Sequence, residues 1–322
     1  MQNMDIPVCL FTWKRWDTVE RIISRLKEAN IKKIYVKSDC WRNDNEKELV
    51  LNVRANLKKA FDWDCDVTFM FADENQGVYK QIGLGAIEIF KKEKMCIFIE
   101  DDNLPEVSFF NYCKELLLKY EKDEQVFMIA GTNYSGKWMK CTDDYMFVKA
   151  LLPCGWASWS SKFIKYYDKT LEWFDSKDNC KKYLSFYKSK PLAKQQLGSI
   201  TAERKLFLSE GRFRSWDYHA IASIMVNDLL VISPRNNLIT NIGVDEFGIH
   251  NLKKPKKNVM TKRFCEVESY PLPVPIEKHP LTIKIDKKYQ KYCDKIITYP
   301  LWLRIKNRLS IIYRHFVPRR AK

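Results

Sequence analysis

The stretch Met95-Cys96-Ile97-Phe98-Ile99-Glu100-Asp101-Asp102 decides the predicted fold. A run of five apolar residues is typical of a strand that is buried on both faces. Three carboxylates follow it directly, and they repel one another unless a positive group lies beside them. In α/β sheets, ligands bind at the carboxyl ends of the strands. The stretch therefore predicts a parallel strand with a binding site at its carboxyl end.

Two interpretations of this acidic triplet are open from the residues alone. A hard divalent cation would accept oxygen ligands from carboxylates and phosphates at such a strand end. Alternatively, the triplet is a solvated acidic turn in front of a helix that Pro105 opens at its favoured first position. The four histidines are scattered, so a histidine-rich metal site is not expected.

The sequence around the triplet alternates short apolar runs with amphipathic helices, which is typical of an α/β fold. Strands are predicted at residues 7–12, 34–36, 67–71, 95–99, 126–130 and 229–233, and helices include residues 79–92 and 217–226. Polar residues follow the first two strands as well, with Thr12 and Arg15 after one and Asp39 after the other. A ligand lying along the carboxyl edge of the sheet would meet Arg15, Asp39 and the Glu100–Asp102 triplet in turn.

The composition indicates a globular protein whose positive charge is concentrated near one end. Hydrophobic residues make up 46% and aromatic residues 14%, which excludes a wholly disordered chain. Of the net charge of +16, residues 251–322 carry +14, with 19 basic and 5 acidic residues. A nucleic-acid-binding or anionic-surface-binding protein is therefore an alternative for this part, although no nucleic-acid-binding motif supports it.

The basic part divides into a Pro/Lys-rich connector at 251–300 and a basic amphipathic helix at 301–322. Trp302, Ile305, Leu309, Ile312 and Phe316 fall on one side of that helix. We expect it to dock on an anionic membrane surface, and the alternative is that its apolar side packs on the preceding domain. No run of about 18 apolar residues and no signal-peptide pattern occurs, so a cytoplasmic, peripheral location on the inner membrane face is expected.

Five ordered sequence blocks and a weaker sixth resemble a known enzyme family. The blocks are Lys14-Arg15-x-x-Thr18-Val19, Ser38-Asp39-Cys40, Tyr79-Lys80, Glu100-Asp101-Asp102 with Phe109-Phe110, Leu152-Pro153-x-Gly155-Trp156, and Trp216-Asp217 with Asn241-Ile242-Gly243 and Gly248-x-His250. Together they resemble the metal-dependent, inverting glycosyltransferases with the GT-A fold, in particular N-acetylglucosaminyltransferase I and related bacterial polysaccharide transferases. The resemblance implies a Rossmann-like, mixed, mostly parallel sheet flanked by helices, with a basic C-terminal extension.

The resemblance also implies roles for individual residues. Asp102 would bind Mn²⁺ or Mg²⁺, and Asp217 would be the catalytic base, although Tyr218 replaces the second aspartate of the family's pattern. The donor and its nucleotide would be bound by a larger set, namely Thr12, Arg15, Asp39, Lys80, Glu100 and Asp101. The acceptor or a lid from Gly243 to His250 would involve Gly155, Trp156, Trp216 and His250. Trp156 and Trp159 are alternatively a core aromatic pair.

The function that the resemblance implies is transfer of a hexosyl or N-acetylhexosaminyl group from a nucleotide-sugar donor. The resemblance at Asp39 favours a UDP-sugar, and a carboxylate at that position can accept the imide hydrogen of uracil. The acceptor would be a saccharide or lipid-linked saccharide in cell-surface polysaccharide or lipopolysaccharide synthesis. Residues 1–250 would form the catalytic domain, with 1–135 as the nucleotide-sugar half and 136–250 as the acceptor half with its lid.

Other nucleotide-using enzymes fit the residues less well. A sugar nucleotidyltransferase is the nearest alternative, but residues 12–16 contain no glycine, whereas such enzymes carry a glycine-rich loop after the first strand. The chain has no G-x-x-x-x-G-K-[ST] motif, which argues against a P-loop ATPase. Gly83-x-Gly85 lacks a third glycine and does not follow a predicted strand, which argues against a dinucleotide-dependent dehydrogenase.

Overall fold

A computed structural model of the chain describes residues 5–244 and 259–306. Within them there are ten strands: β1 (Val8–Thr12), β2 (Lys33–Ser38), β3 (Asp66–Phe71), β4 (Met95–Glu100), β5 (Asn103–Pro105), β6 (Val126–Ala130), β7 (Tyr145–Val148), β8 (Trp156–Trp159), β9 (Leu230–Pro234) and β10 (Ile239–Asn241). The α-helices are α1 (Trp16–Glu28), α2 (Asp44–Leu57), α3 (Gly85–Phe90), α4 (Ser108–Lys119), α5 (Ser160–Tyr166), α6 (Lys177–Ser185), α7 (Lys190–Glu210), α8 (Asp217–Val226), α9 (Val259–Phe264) and α10 (Lys287–Ile297).

Eight strands form one mixed sheet in the order β3-β2-β1-β4-β8-β6-β9-β7. Six of them run in the same direction, whereas β8 and β7 run antiparallel to their neighbours. The predicted class, a mixed and mostly parallel α/β sheet flanked by helices, is confirmed. Because β1, β2 and β4 are parallel neighbours, their carboxyl ends meet at one edge of the sheet.

Two hydrophobic cores cover the two faces of this sheet. Alternate residues of β1 belong to different cores, with Cys9 and Phe11 in one and Val8 and Leu10 in the other. The first core includes residues of α3, α5, α8 and α10, and the second includes residues of α1, α2 and α4. Strands buried on both faces need continuous apolar runs, which is why these strands could be recognised from the sequence.

The helix predicted to start at Pro105 begins later, at Ser108. Residues 103–105 instead form β5, which pairs antiparallel with β10 in a second, two-stranded sheet. The Glu106 amide also donates to the Leu238 carbonyl at 2.8 Å. The prediction was wrong because these backbone partners lie more than 130 residues away, and a local pattern cannot reveal them. The predicted helix over 79–92 is a π-helical turn at Tyr79–Leu84 followed by α3.

The segment predicted as an extended connector packs on the sheet where the structure describes it. Tyr289 and Cys293 of α10 are fully buried in the first core, and Leu272 and Ile276 are buried in the second. The amide of Asp286 donates to the carbonyl of Phe147 in β7 at 2.9 Å. The division of the chain at residue 250 stays a prediction.

Residues 301–306 are helical, in agreement with the predicted C-terminal helix, while residues 307–322 lie outside the described part of the chain. Leu301 and Trp302 are 63% and 57% exposed, so this first turn presents apolar groups to solvent. Within the described ranges, no helix is both long enough and apolar enough to cross a membrane.

Candidate active site

The carboxyl ends of β1, β2 and β4 bring the predicted residues together, as parallel pairing requires. Phe11 of β1 is in register with Glu100 of β4, and Thr12 with Ser38 of β2. The hydroxyl of Thr12 is buried and has no hydrogen-bond partner among the described residues. A buried hydroxyl without a hydrogen bond lowers the stability of the fold unless a ligand or a water molecule forms a hydrogen bond with it.

Arg15 is the positive group beside the acidic triplet. It is 7% exposed, and its Nη2 lies 3.2 Å from Asp101 Oδ1 and 3.5 Å from Asp102 Oδ2. The backbone amide of Trp13 also donates to Asp101 Oδ2 at 3.1 Å. Asp101 therefore anchors the loop between β1 and α1, which leaves Glu100 and Asp102 as the less compensated carboxylates.

Glu100 and Asp102 hold their protons more tightly than ordinary carboxyl groups do. The pKa of Glu100 lies well above its ordinary value because of burial, and the charges of Asp102, Asp101 and Asp217 raise it further. Burial likewise raises the pKa of Asp102, while Arg15 and a hydrogen bond from the Asn241 side chain oppose that shift. A cation at this strand end would relieve the repulsion, because it favours the charged form of both groups.

Asp39 has a structural task that the sequence did not reveal. Its Oδ1 accepts the amides of Cys40 and Gln76, both at 2.8 Å, and its Oδ2 accepts the amide of Gly77 at 3.0 Å and the side-chain amide of Asn75 at 3.1 Å. Asp39 thus holds the loop that follows β3 against the end of β2. Contact between Asp39 and a nucleotide base stays a prediction, and it would require one of these bonds to be shared or exchanged.

Asp217 lies at the first turn of α8 and faces the same site from the other half of the chain. Its Oδ1 accepts hydrogen bonds from the Ser215 hydroxyl and from the Tyr218 amide. Burial raises the pKa of Asp217 to about 6, and the charge of Glu203 adds to the shift. The preceding residue, Trp216, hydrogen-bonds to Glu100 through its side chain. These contacts connect α8 to the end of β4.

Gly243 closes over the acidic end of β4. A Cβ atom at this position would lie 2.5 Å from Asp102 Oδ2 and 2.8 Å from Arg15 Nη1. The preceding amide, of Ile242, donates to the Asp102 carbonyl at 2.8 Å. Glycine is therefore required here by the close approach of the backbone to charged side chains.

Replacing Gly243 with Ala is expected to displace Asp102 and Arg15 and to lower the rate of a reaction at this site by about 10²-fold, the cost of a misplacement near 1 Å. The matched control is Gly198→Ala in α7, where a Cβ atom would meet nothing within 4 Å. That change should keep activity and raise stability by about 0.5–1 kcal/mol. The rate of the reaction proposed below and thermal denaturation, measured for both variants, test the prediction, and full activity of the Gly243 variant would contradict it.

The acidic strand end fits a divalent cation only in combination with other ligands. Within the described ranges, no three His, Cys, Asp or Glu side chains lie close enough to form a metal site by themselves. Mg²⁺, however, is commonly bound by one or two protein carboxylates together with phosphate oxygens of the substrate and water. Asp102 and Glu100 match that donor set, and burial disfavours the charged form of both carboxylates unless a cation lies beside them.

A large cleft of about 1380 Å³ is lined by Asp217 and Cys154. Both residues interact electrostatically with the acidic triplet, Asp217 with Glu100 and Cys154 with Asp102 and Glu100. The charges of Asp102 and Glu100 act on the Cys154 thiol, whose Sγ lies 3.9 Å from Asn241 Nδ2. Residues of α7, α8, α9 and α10 form the remaining walls. A molecule in this cleft would contact Asp217, whose charge acts on Glu100 at the end of β4.

Some predicted site residues lie elsewhere. Lys80 is exposed and lines a separate cavity of about 370 Å³ with Lys37 and Glu88. Trp156 is 1% exposed and stacks between Phe98 and Trp216, with ring centroids 4.2 and 5.2 Å away.

The aromatic pair Trp156 and Trp159 is therefore part of the core, and the prediction that Trp156 contacts the acceptor or belongs to a lid is wrong, because both faces of its ring are covered. Gly155 has a φ of +60°, and a Cβ atom there would lie 2.6 Å from Ile239, so its role is structural. His250 and most of the predicted lid lie outside the described residues.

Two residues at the site were missed from the sequence. Trp13 supplies the amide that binds Asp101, and its Nε1 donates to the Cys40 carbonyl at 3.0 Å, which joins the ends of β1 and β2. Glu203 of α7 is 5% exposed, and its Oε2 accepts the amides of Arg214 at 2.7 Å and Ser215 at 3.3 Å. It thereby positions the segment that leads into Asp217. A mid-helix glutamate has no local signal that could have indicated this.

Comparison with known proteins gives distant structural likenesses. No family model matches the chain, and no curated protein matches its sequence. Solved structures with a similar arrangement include a mannosyltransferase from Pyrobaculum calidifontis in complex with GDP-Man and Mn²⁺ (10% identity, 69% of each chain, TM-score 0.34). A UDP-glucose pyrophosphorylase complexed with UDP-glucose is also similar (9% identity, 74% of this chain and 93% of that one, TM-score 0.35).

A third similar structure is HddC from Yersinia pseudotuberculosis (14% identity, 38% of this chain, TM-score 0.27). The match spans 56% of that protein, which is less than two thirds of its length. TM-scores at this level are too low to assign an activity, and the resemblance to N-acetylglucosaminyltransferase I stays a prediction.

Proposed function

We propose that the protein is an inverting glycosyltransferase that uses a nucleotide-sugar donor, with a UDP-sugar favoured, and a divalent metal ion. One observation carries the proposal: the Glu100–Asp102 strand end lies beside Arg15, and Asp217 faces it where a large cleft opens. An inverting transfer needs a site for a charged diphosphate and, apart from it, a base for the acceptor hydroxyl. In this proposal, Arg15 and the Glu100–Asp102 strand end form the diphosphate site, and Asp217 is the base.

The donor side of the reaction is assigned to the sheet edge. Arg15 would pair with phosphate oxygens, and Thr12 would offer its buried hydroxyl to the nucleotide. Asp102, with Glu100 beside it, would hold Mn²⁺ or Mg²⁺, which supplies charge neutralisation of the departing diphosphate. Asp101 and Trp13 keep Arg15 and its loop in place.

The acceptor side is assigned to Asp217. The acceptor hydroxyl oxygen forms a bond to the anomeric carbon on the face opposite the leaving group, and the bond from that carbon to the diphosphate oxygen breaks. The electron pair leaves with the nucleoside diphosphate, and the hydroxyl proton passes to Asp217. A carboxylate whose pKa is about 6 is largely ionised at neutral pH yet basic enough to accept a proton.

A screen of nucleotide sugars tests this function. The full chain is incubated with UDP-, GDP-, CDP- and TDP-sugars in the presence of Mn²⁺ or of a chelator, and released nucleotide is measured. Release from one donor that stops with the chelator is the expected result. If the protein instead makes a nucleotide sugar from a nucleoside triphosphate and a sugar phosphate, it is a nucleotidyltransferase and the proposal fails.

We also propose that the enzyme associates with an anionic membrane surface through its basic C-terminal helix. Leu301, Trp302 and Ile305 are exposed, and Arg304 lies on the same turn. Removal of the residues after Pro300 is expected to abolish sedimentation with anionic liposomes, and 0.5 M salt should weaken binding of the full chain because it shortens the Debye length to about 4 Å. Equal sedimentation of both proteins would exclude this anchor.

A further inference from the structure

We propose that the acceptor carries anionic groups, carboxylate or phosphate, and that a row of lysines on α10 binds them in the large cleft. This inference rests on the proposed function, because it names the class of molecule that the cleft presents to Asp217. The row consists of Lys287, Lys291 and Lys295, all of which are exposed and line the cleft. We call it the lysine ladder.

The spacing of the lysine ladder is the first argument. Its members are four residues apart on a continuous helix, so they share one face and follow one another at about 6 Å along the axis. Like charges at this spacing destabilise a helix. A row of positive groups about 12 Å long suits an extended ligand that carries more than one negative group.

The charge balance of the cleft is the second argument. Among the residues that the structure describes, seven basic residues line the cleft, but its acidic lining residues are only Asp217 and Asp294. One of these basic residues, Lys149, forms an ion pair with Asp228. The other six form no ion pair with any residue that the structure describes; they are Lys188, Arg263, Lys287, Lys291, Lys295 and Arg304. The cleft is thus a positive surface with Asp217 at one end.

Two arginines strengthen the positive end of the cleft. Arg263 donates from Nη1 to the carbonyls of Ile296 and Thr298 at 2.8 and 2.9 Å, which fixes its guanidinium at the C-terminal end of α10. The Nε of Arg304 is buried and has no hydrogen-bond partner among the described residues. An oxygen of a phosphate or carboxylate group could accept the missing hydrogen bond from this buried donor.

The cleft is a better fit for an anionic saccharide than for a neutral one. Its surface also includes aromatic groups, among them Tyr187, Tyr218 and Phe264, which can cover the apolar faces of sugar rings. A neutral oligosaccharide would use these groups and leave the six cations without an ion-pair partner. An anionic one would use both, and steering by the positive cleft would raise its association rate.

Binding of model oligosaccharides tests the inference with no turnover required. A fluorescently labelled hexasaccharide of galacturonic acid is titrated with the full chain, and neutral maltohexaose and inorganic pyrophosphate serve as competitors. The test variant is Lys291→Gln combined with Lys295→Gln. The matched control is Lys288→Gln, which removes a charge from the same helix at an exposed position outside the cleft lining.

The parent protein is expected to bind the acidic hexasaccharide in a salt-sensitive manner, and the double variant should bind it about tenfold more weakly. The control should bind like the parent, and glutamine keeps the helix because its propensity is close to that of lysine. Displacement of the acidic hexasaccharide by pyrophosphate would assign phosphate as the anionic group, and resistance to pyrophosphate would assign carboxylate.

Equal binding of the labelled probe in the double variant and the parent, or displacement by maltohexaose as effective as by the unlabelled acidic sugar, would overturn the inference. These outcomes differ from failure of the proposed function, which the nucleotide-release screen measures separately. Unchanged helical circular dichroism and thermal midpoint of the variants ensure that a loss of binding is not a loss of fold.

Discussion

Replacing Asp217 with Asn is expected to lower turnover by about 10²–10⁴-fold, the range for loss of a general base. Affinity for the donor should stay near that of the parent, because the donor groups lie on β1, β2 and β4 and not on α8. The measurement compares the rate of sugar transfer with equilibrium donor binding. A collapse of donor affinity would place Asp217 in the donor site, and near-normal turnover would assign the base to another carboxylate.

The matched control for this substitution is Asp178→Asn. Both aspartates lie in the first turn of a helix, but Asp178 is exposed, with 88% of its side chain accessible, and it is paired with Lys181. The control should keep full activity. In the parent, the transfer rate should fall about tenfold per pH unit below the pKa of Asp217, which is about 6, because protonated Asp217 cannot accept the hydroxyl proton.

Replacing Asp217 with Asn also has an expected effect on the stability of the fold. The pKa of Asp217 is raised from 3.8 to about 6 in the folded protein, so its stabilising contribution is present at low pH and is lost as the pH rises through 6. Above that pH, the ionised carboxylate lowers the free energy of unfolding by on the order of 3 kcal/mol. Asp217→Asn should therefore be more stable than the parent at pH 8, and this advantage should shrink by pH 4. Urea unfolding at both values tests this.

Replacing Asp102 with Ala is expected to abolish metal-dependent donor binding and to leave the fold intact. Asp101 is held by Arg15 at 3.2 Å and by the Trp13 amide, whereas Asp102 lies farther from Arg15, at 3.5 Å, and is the residue to which the resemblance assigns the metal. Removing one of three crowded negative charges should leave the stability of the metal-free protein unchanged or slightly higher. Calorimetric titration with donor, with and without Mn²⁺, measures the loss.

Asp64→Ala serves as the control for the metal experiment. Its side chain is 95% exposed, and it forms a surface ion pair with Lys32 near the start of β3. The control should bind donor and Mn²⁺ like the parent, since exposed pairs contribute little. Parent-like binding of donor and metal by the Asp102 variant would show that the metal assignment is wrong, and a large loss of stability would show that Asp102 has a structural role instead.

Most of the sheet could be predicted because its strands are buried on both faces. Residues 95–99 and 126–130 are continuous apolar runs of five residues, a length that favours a buried strand over a buried helix. The helix at Asp217–Val226 was predicted at its observed position for a similar reason, since it is largely apolar and follows a polar first turn. Strand β5 was missed because its pairing with β10 depends on residues distant in sequence.

For the site, the amino-acid sequence by itself determined which side chains stand at the strand ends: Arg15, Asp39 and the triplet Glu100–Asp102. Parallel pairing then requires them to share one edge, so their proximity follows from strand order and local chemistry. The sequence also determined that positive charge is concentrated after residue 250. It could not determine where that charge lies relative to the triplet.

Only the tertiary structure decided the second half of the site. The side chain of Trp216 hydrogen-bonds to Glu100, which is more than 100 residues earlier in the chain. Glu203 accepts hydrogen bonds from backbone amides of the segment that precedes Asp217. Tertiary packing likewise buried Trp156 in the core and placed the lysine ladder of α10 along the cleft that Asp217 lines. The physical reason is that burial and charge interactions depend on distances in space, whereas a sequence pattern reports only the residues that are neighbours along one helix or strand.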